Sequence, residues 1–172
     1  MNSMMIAGIV FLLIFPACLI WAAISDLRTM TISNRLCLIL AGGFYPAALL
    51  LGLSPVMIGL HTLLAFIVLL AGMGMFAAGW MGGGDAKLMT AASLWLGLSA
   101  ALPFVFYVAL MGGALTLVFL ILRKLFKRHT DTMSGWQQRL MTDKGGIPYG
   151  VAIFAGALMA APSGALFKLA GL

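Results

Sequence analysis

The sequence is dominated by six apolar runs, separated by short breaks that carry almost every charged residue. A helix needs about 20 residues to cross the hydrocarbon core of a bilayer, which is about 30 Å thick. We therefore predict six transmembrane helices, at residues 4–24, 36–53, 56–78, 88–102, 103–122 and 147–170. The fourth and fifth runs join without a polar loop, so we expect a tight turn between them near residues 99–103.

The composition agrees with a membrane protein and with no other common class. Hydrophobic residues make up 63% of the chain and charged residues 8%, whereas soluble domains have about 45–50% and about 25%. We therefore expect an all-α integral membrane protein, folded as one domain over residues 1–172. No basic segment precedes the first run, so we expect that run to remain as a permanent span rather than a cleaved signal peptide.

The basic residues predict how the bundle is oriented. Nine of the ten Lys and Arg fall in alternate breaks and only Lys168 does not. Because cytoplasmic loops are enriched in these residues, we expect both termini to lie outside and residues 123–146 to form a basic cytoplasmic loop at the lipid surface. The net charge of +6 is then explained by topology and anionic lipid, and we expect no binding of nucleic acid.

Two of the four acidic residues lie at the same predicted depth. Asp26 follows the first run and Asp85 precedes the fourth, both on the cytoplasmic side. If helix packing brings them together, an ionised carboxylate could take a proton from water while its protonated partner polarises a peptide carbonyl. Asp131 and Asp143 lie among Lys and Arg in the basic loop, where solvated ion pairs are the usual outcome.

Three consecutive glycines, Gly82, Gly83 and Gly84, precede Asp85. Glycine permits close backbone approach, so this loop could hold an extended peptide beside the carboxylate, with Lys87 adjusting the local field. An alternative is a flexible turn in which Asp85 caps the following helix. Asp26 has an alternative role too, as a topology marker paired with Arg28.

The two cysteines do not indicate a metal site. Cys18 and Cys37 are isolated within apolar runs, with no CxxC pair and no histidine nearby. We expect both to be small core residues, and we expect the protein to use no metal and no cofactor.

Three ordered motifs resemble those of the type IV prepilin peptidase family. The first is an Asp at the end of the first span, Asp26, followed by Ile32-Ser33-Asn34, where Ser33 replaces the family's usual Pro. The second is the GxGD motif that ends at Asp85, extended through Lys87. The third is Pro148-Tyr149-Gly150, which opens the last span.

The resemblance implies a membrane-embedded aspartic endopeptidase in which Asp26 and Asp85 are the catalytic pair. The substrate would be a prepilin or pseudopilin whose leader is cut at the cytoplasmic edge of the bacterial inner membrane. Residues of the motifs would bind substrate or shape the active-site loop, namely Asn34, Gly82, Gly83, Gly84, Lys87, Pro148, Tyr149 and Gly150. The oligomeric state is not implied.

Larger members resembled here carry an insertion with paired cysteines and also N-methylate the cleaved product. This sequence has neither feature, so it is similar to the compact kind that serves Flp, or tight-adherence, pili. We therefore expect peptidase activity without N-methylation.

Two other classes of protein remain possible from the sequence. A small proton-coupled transporter needs ionisable groups within its spans, and His61 is the main candidate, although we expect it to be a packed or interfacial residue. A noncatalytic scaffold of a pilus or secretion apparatus would tolerate replacement of both Asp26 and Asp85 by Asn.

Overall fold

The structure is a computed structural model that describes residues 3–126, 134–142 and 146–171. Within these ranges it contains only helices and their connections. The α-helices are α1 Ser3–Leu12, α2 Ile14–Thr29, α3 Asn34–Leu50, α4 Pro55–Ala77, α5 Gly83–Phe126, α6 Gly135–Met141, α7 Tyr149–Ala160 and α8 Ala165–Leu169. A short 3₁₀ helix, Ala161–Ser163, joins α7 to α8.

Three helical stretches are long and apolar enough to cross a membrane. They are Ser3–Thr29, which combines α1 and α2, Pro55–Ala77 and Gly83–Phe126. Two shorter apolar helices, Asn34–Leu50 and Tyr149–Ser163, accompany them. The prediction of an all-α membrane protein is confirmed, whereas the six spans and the placement of the termini stay predictions.

The joint between α1 and α2 lies at Leu13, three residues before Pro16. Proline has no amide hydrogen, so it cannot complete the regular helical bond to Leu12. The Leu13 amide instead donates to the Val10 carbonyl at 3.2 Å. Helix α2 then continues to Thr29, which places Asp26 inside its last turn rather than beyond the predicted end of the span at residue 24.

Helix α5 is interrupted at Gly97. A straight helix of 44 residues would be about 66 Å long, roughly twice the thickness of the bilayer core. Gly97 has φ 68° and ψ −176°, a conformation that glycine adopts without steric cost. Asp85 before the break and Val108 after it line the same cavity, so the two limbs of α5 fold back on each other.

The expected turn at residues 99–103 is therefore in the wrong place. These residues are helical, including Pro103, and the break precedes them at Gly97. The reason is that the reversal requires a positive φ, which glycine supplies and the residues that follow do not adopt.

Aromatic side chains pack around the buried Trp95 at this end of the bundle. The ring centroids of Phe15 and Phe44 lie 5.6 and 6.0 Å from that of Trp95, and the indole Nε1–H donates to the Leu40 carbonyl at 2.7 Å. His61 stacks on Phe44 at 5.4 Å and is 1% exposed. The interpretation of His61 as a packed residue is thus confirmed.

Candidate active site

Asp26 lies in the last turn of α2 and is 6% exposed. Its carboxylate Oδ2 accepts a hydrogen bond from the backbone N–H of Gly150 at 2.7 Å. The helix ends four residues later because Met30 adopts a left-handed conformation with φ 54°, and the Met30 N–H donates to the Asp26 carbonyl at 2.8 Å. The Asp26 carboxylate therefore contacts the start of α7, and its hydrogen bond is not explained by the alternative role as a partner of Arg28.

The start of α7 provides the hydrogen bond to Asp26. Pro148 is fully buried immediately before the helix, and Tyr149 and Gly150 are its first two residues. Amides in the first turn of a helix have no acceptor within the helix, so the Gly150 N–H is free to bind a carboxylate. A Cβ atom at position 150 would lie 3.0 Å from both Cβ and Oδ2 of Asp26. Glycine is thus needed for this close approach.

Asp85 lies in the first turn of α5, as its third residue. Its carboxylate accepts a hydrogen bond from the backbone N–H of Gly82, while the Gly82 carbonyl accepts from the Ala86 N–H at 3.1 Å. An acidic side chain at the third helical position that reaches back to the preceding amide is a known capping arrangement. The capping alternative therefore accounts for one hydrogen bond of Asp85, although Gly82, and not Asp85, occupies the cap position.

The two carboxylates line the same cavity, which has a volume of about 580 Å³. They are close enough for the charge of Asp26 to act on Asp85. Most of the remaining wall is apolar, with four methionines and aromatic side chains: Met30, Met75, Met81, Met89, Trp80 and Tyr149. Packing of α2, α5 and α7 thus unites two acids that are far apart in sequence.

A second, smaller cavity of about 240 Å³ also reaches both carboxylates. Its wall includes the three glycines before Asp85 and the connection between α2 and α3. A Cβ atom at Gly84 would lie 3.2 Å from the Ile32 Cβ, so this glycine allows the connection to pack against the start of α5. The glycine loop therefore packs the site as well as bordering it.

Lys87 and Asn34 do not line either of these cavities. The Lys87 ammonium donates to the Asn34 Oδ1 at 2.9 Å, and both residues border a separate groove of about 370 Å³ between α3, α4 and α5. This contact links α3 to α5 on a different face from the carboxylates. Cys18 and Cys37 are buried, whereas Asp131 and Asp143 lie outside the described residues.

Several residues of the site had no signal in the sequence. Met75 and Val108 reach the larger cavity only through helix packing, whereas Met30, Met81 and Met89 are each four residues from one of the two carboxylates. The left-handed conformation of Met30 is also unexpected, because non-glycine residues adopt it rarely. The sequence offered one clue that Met30 lies at the site, namely its position four residues after Asp26, at the end of an apolar run.

Residues 13–117, more than half of the chain, match the type IV leader peptidase family. The matched region contains Asp26, the glycine loop and Asp85, and it ends before the segment that supplies the Gly150 amide. Searches of curated proteins and of solved structures find no match. By this match, the chain belongs to the type IV leader peptidase family.

Proposed function

We propose that this protein is a membrane-embedded aspartic endopeptidase that removes the leader of prepilin-type substrates. Membership of the leader peptidase family gives the class of reaction. The observation that carries the proposal is that Asp26 and Asp85 line one cavity although α2 and α5 are separated by two other helices. A noncatalytic scaffold does not require that convergence, and family membership favours a peptidase over a transporter.

The chemistry follows from two neighbouring carboxyl groups. Double ionisation is resisted because like charges repel, so one group is ionised while the other keeps its proton. The ionised group takes a proton from water, and the water oxygen attacks the scissile carbonyl carbon. The protonated group hydrogen-bonds to the carbonyl oxygen and stabilises the charge that develops there. When the tetrahedral intermediate collapses, the C–N bond breaks and the carboxyl group that took the proton from water gives it to the leaving amine nitrogen. Each carboxylate accepts one backbone hydrogen bond, from Gly150 for Asp26 and from Gly82 for Asp85. Because these bonds do not favour ionisation of one group over the other, we assign the base and the acid to the pair and not to individual residues.

The proposed topology has six spans with both termini outside. The break at Gly97 supports it, because each limb of α5 then supplies one pass. Arg28 and Lys87 lie beside the two carboxylates in sequence. Lys168 lies in α8, at the far end of the apolar α7, whose first turn contacts Asp26. By the distribution of basic residues, the carboxylates lie at the cytoplasmic edge of the bacterial inner membrane.

The proposed substrate is a Flp-type prepilin whose polar leader enters from the cytoplasm. A helical backbone is poorly accessible because its amides are bonded within the helix, so the cleaved segment must be unwound. The methionine-lined wall suits varied apolar side chains, since methionine adapts its shape readily. We propose cleavage without N-methylation, in keeping with two cysteines that are isolated and buried.

The direct test uses purified protein and a leader-bearing prepilin, in detergent or in lipid vesicles. We expect a single cut that shortens the prepilin at its N-terminus, detected by a gel shift and mapped by mass spectrometry. An unchanged prepilin in the presence of well-folded protein would support the scaffold alternative.

Gly150→Ala is expected to slow cleavage strongly while preserving the fold. The added methyl group would lie 3.0 Å from Asp26 Oδ2, so the carboxylate must move, and a displacement of about 1 Å at a reacting group can cost about 100-fold in rate. The matched control is Gly113→Ala on α5, where a Cβ atom meets nothing within 4 Å. Equal cleavage rates for the two variants would contradict the assigned role of the Gly150 contact.

A further inference from the structure

Arg123 links two segments near the cytoplasmic end of α5. Its Nε–H donates to the Leu140 carbonyl in α6, and its Nη2 donates to the Gly146 carbonyl, both at 2.8 Å. The guanidinium also lies 5.9 Å from the ring centroid of Phe119, one helical turn earlier. Arg123 therefore joins α5, α6 and the connection that leads into α7.

The connection held by Arg123 leads directly to the hydrogen-bond donor of Asp26. Gly146 begins the described segment that continues through the buried Pro148 to Gly150, whose N–H binds the carboxylate. Gly146 also lies against the side chain of Met30, the residue that ends α2 and whose N–H donates to the Asp26 carbonyl. The 146–150 segment thus binds the Asp26 side chain directly, through Gly150, and packs against Met30, which binds the Asp26 backbone.

We propose that Arg123 is a positioning residue for Asp26, which it serves by fixing the 146–150 segment against α2. The expected effect on cleavage rests on the proposed peptidase function, whereas the contacts of Arg123 do not depend on it. Arg123 itself does not line the carboxylate cavity. It acts through the 146–150 segment, so its loss alters the orientation of Asp26 and loosens Ile147 and Tyr149, while the cavity walls contributed by α4 and α5 stay in place.

The geometry of the contacts calls for arginine and not merely for a positive charge. A guanidinium presents several N–H donors in a rigid plane, so it can bind two carbonyl groups at once, which the single ammonium of lysine does less well. Attraction of the basic 123–146 loop to anionic lipid would instead depend on charge alone. If attraction to lipid were the only role, removing the charge of Arg123 or that of the exposed Lys124 would have the same effect.

Hydrogen exchange tests the geometry without any assay of activity. In the full-length protein in lipid nanodiscs, we expect Arg123→Gln to accelerate amide exchange in the peptide covering 146–150 at least tenfold. The matched control, Lys124→Gln, removes the same charge one residue away and should leave exchange unchanged. Equal exchange in the two variants would overturn the proposal, whether or not the protein cleaves prepilin.

Kinetics test the consequence for Asp26. We expect Arg123→Gln to lower kcat roughly tenfold or more and to raise KM by a smaller factor, because Tyr149 also lines the cavity. The acid side of the pH–rate profile should move to higher pH, because a weaker Gly150 hydrogen bond disfavours the singly ionised form of the coupled Asp26–Asp85 pair. Arg123→Lys keeps the positive charge and replaces Arg123→Gln in this test if the latter does not fold. It should show the same changes in kcat and in the pH–rate profile, to a smaller extent. If the pH–rate profile of Arg123→Gln does not shift and its kcat equals that of Lys124→Gln, the positioning role of Arg123 is overturned.

Discussion

We expect Asp26→Asn and Asp85→Asn each to remove nearly all cleavage of the prepilin leader, lowering the rate on the order of 10³-fold or more. Asparagine keeps the size of the side chain but can neither accept a proton from water nor share a proton with a partner carboxylate. Both positions accept a backbone hydrogen bond through a carboxylate oxygen, which the amide oxygen of asparagine can also do. We therefore expect the two variants to fold normally, as measured by thermal melting in detergent.

The control variants are Asp131→Asn and Asp143→Asn, which change the remaining acidic residues. Both should cleave like the unaltered protein. The double variant of Asp26 and Asp85 should be little worse than either single one, because residues that act as a unit give non-additive losses. Cleavage that persists in either single variant would rule out the pair, and full biological function of both would favour the scaffold alternative.

Gly97→Ala is expected to have the largest effect on folding. Alanine is strained at the φ of 68° found here, and its Cβ atom would overlap the imidazole of His61. The cost is roughly 1–3 kcal/mol for the backbone conformation and roughly 1–3 kcal/mol for overpacking, which is a large part of a protein's usual stability. We expect little folded protein, measured as monodisperse yield in detergent and as melting temperature.

The matched control for this change is Gly74→Ala in α4, where an added Cβ atom meets nothing within 4 Å. It should fold at least as well as the unaltered protein, because alanine favours helix over glycine. Combining Gly97→Ala with His61→Ala relieves the overlap but leaves the strained φ, so recovery should be partial. A Gly97→Ala variant that melts at the normal temperature would show that the two limbs of α5 do not require this bend.

The sequence predicted the membrane class and the pair of acids, but not what holds the acids in place. Asp26 and Asp85 could be paired as candidates because each lies at the edge of an apolar run, on the side that the basic residues predict to be cytoplasmic. Gly150 was marked only by its motif, since its hydrogen bond to Asp26 depends on how α7 packs against α2. The bend at Gly97 was missed because the chain has 21 glycines, and the imidazole that leaves no room for a side chain at position 97, that of His61, lies in another helix.

Lys87 shows a different limit of sequence-based inference. It is two residues from Asp85 and was expected to act on it, but positions two apart on a helix do not face each other. In the fold Lys87 binds Asn34 across α3 and α5. Met75 of the larger cavity was also invisible, because it lies in α4, which carries neither carboxylate.

Cysteine crosslinking measures most directly whether residues 26 and 85 meet within the membrane. In a background with Cys18→Ala and Cys37→Ala, the pair Asp26→Cys and Asp85→Cys should be joined by a short thiol-specific crosslinker in native membranes, as mapped by mass spectrometry. The control pair, Asp85→Cys with Leu98→Cys, should not be joined, because the exposed Leu98 lies at the Gly97 break, about 20 Å along the first limb of α5 from residue 85. Failure of the first pair to crosslink, although each cysteine alone reacts with the reagent, would contradict the convergence of the two acids.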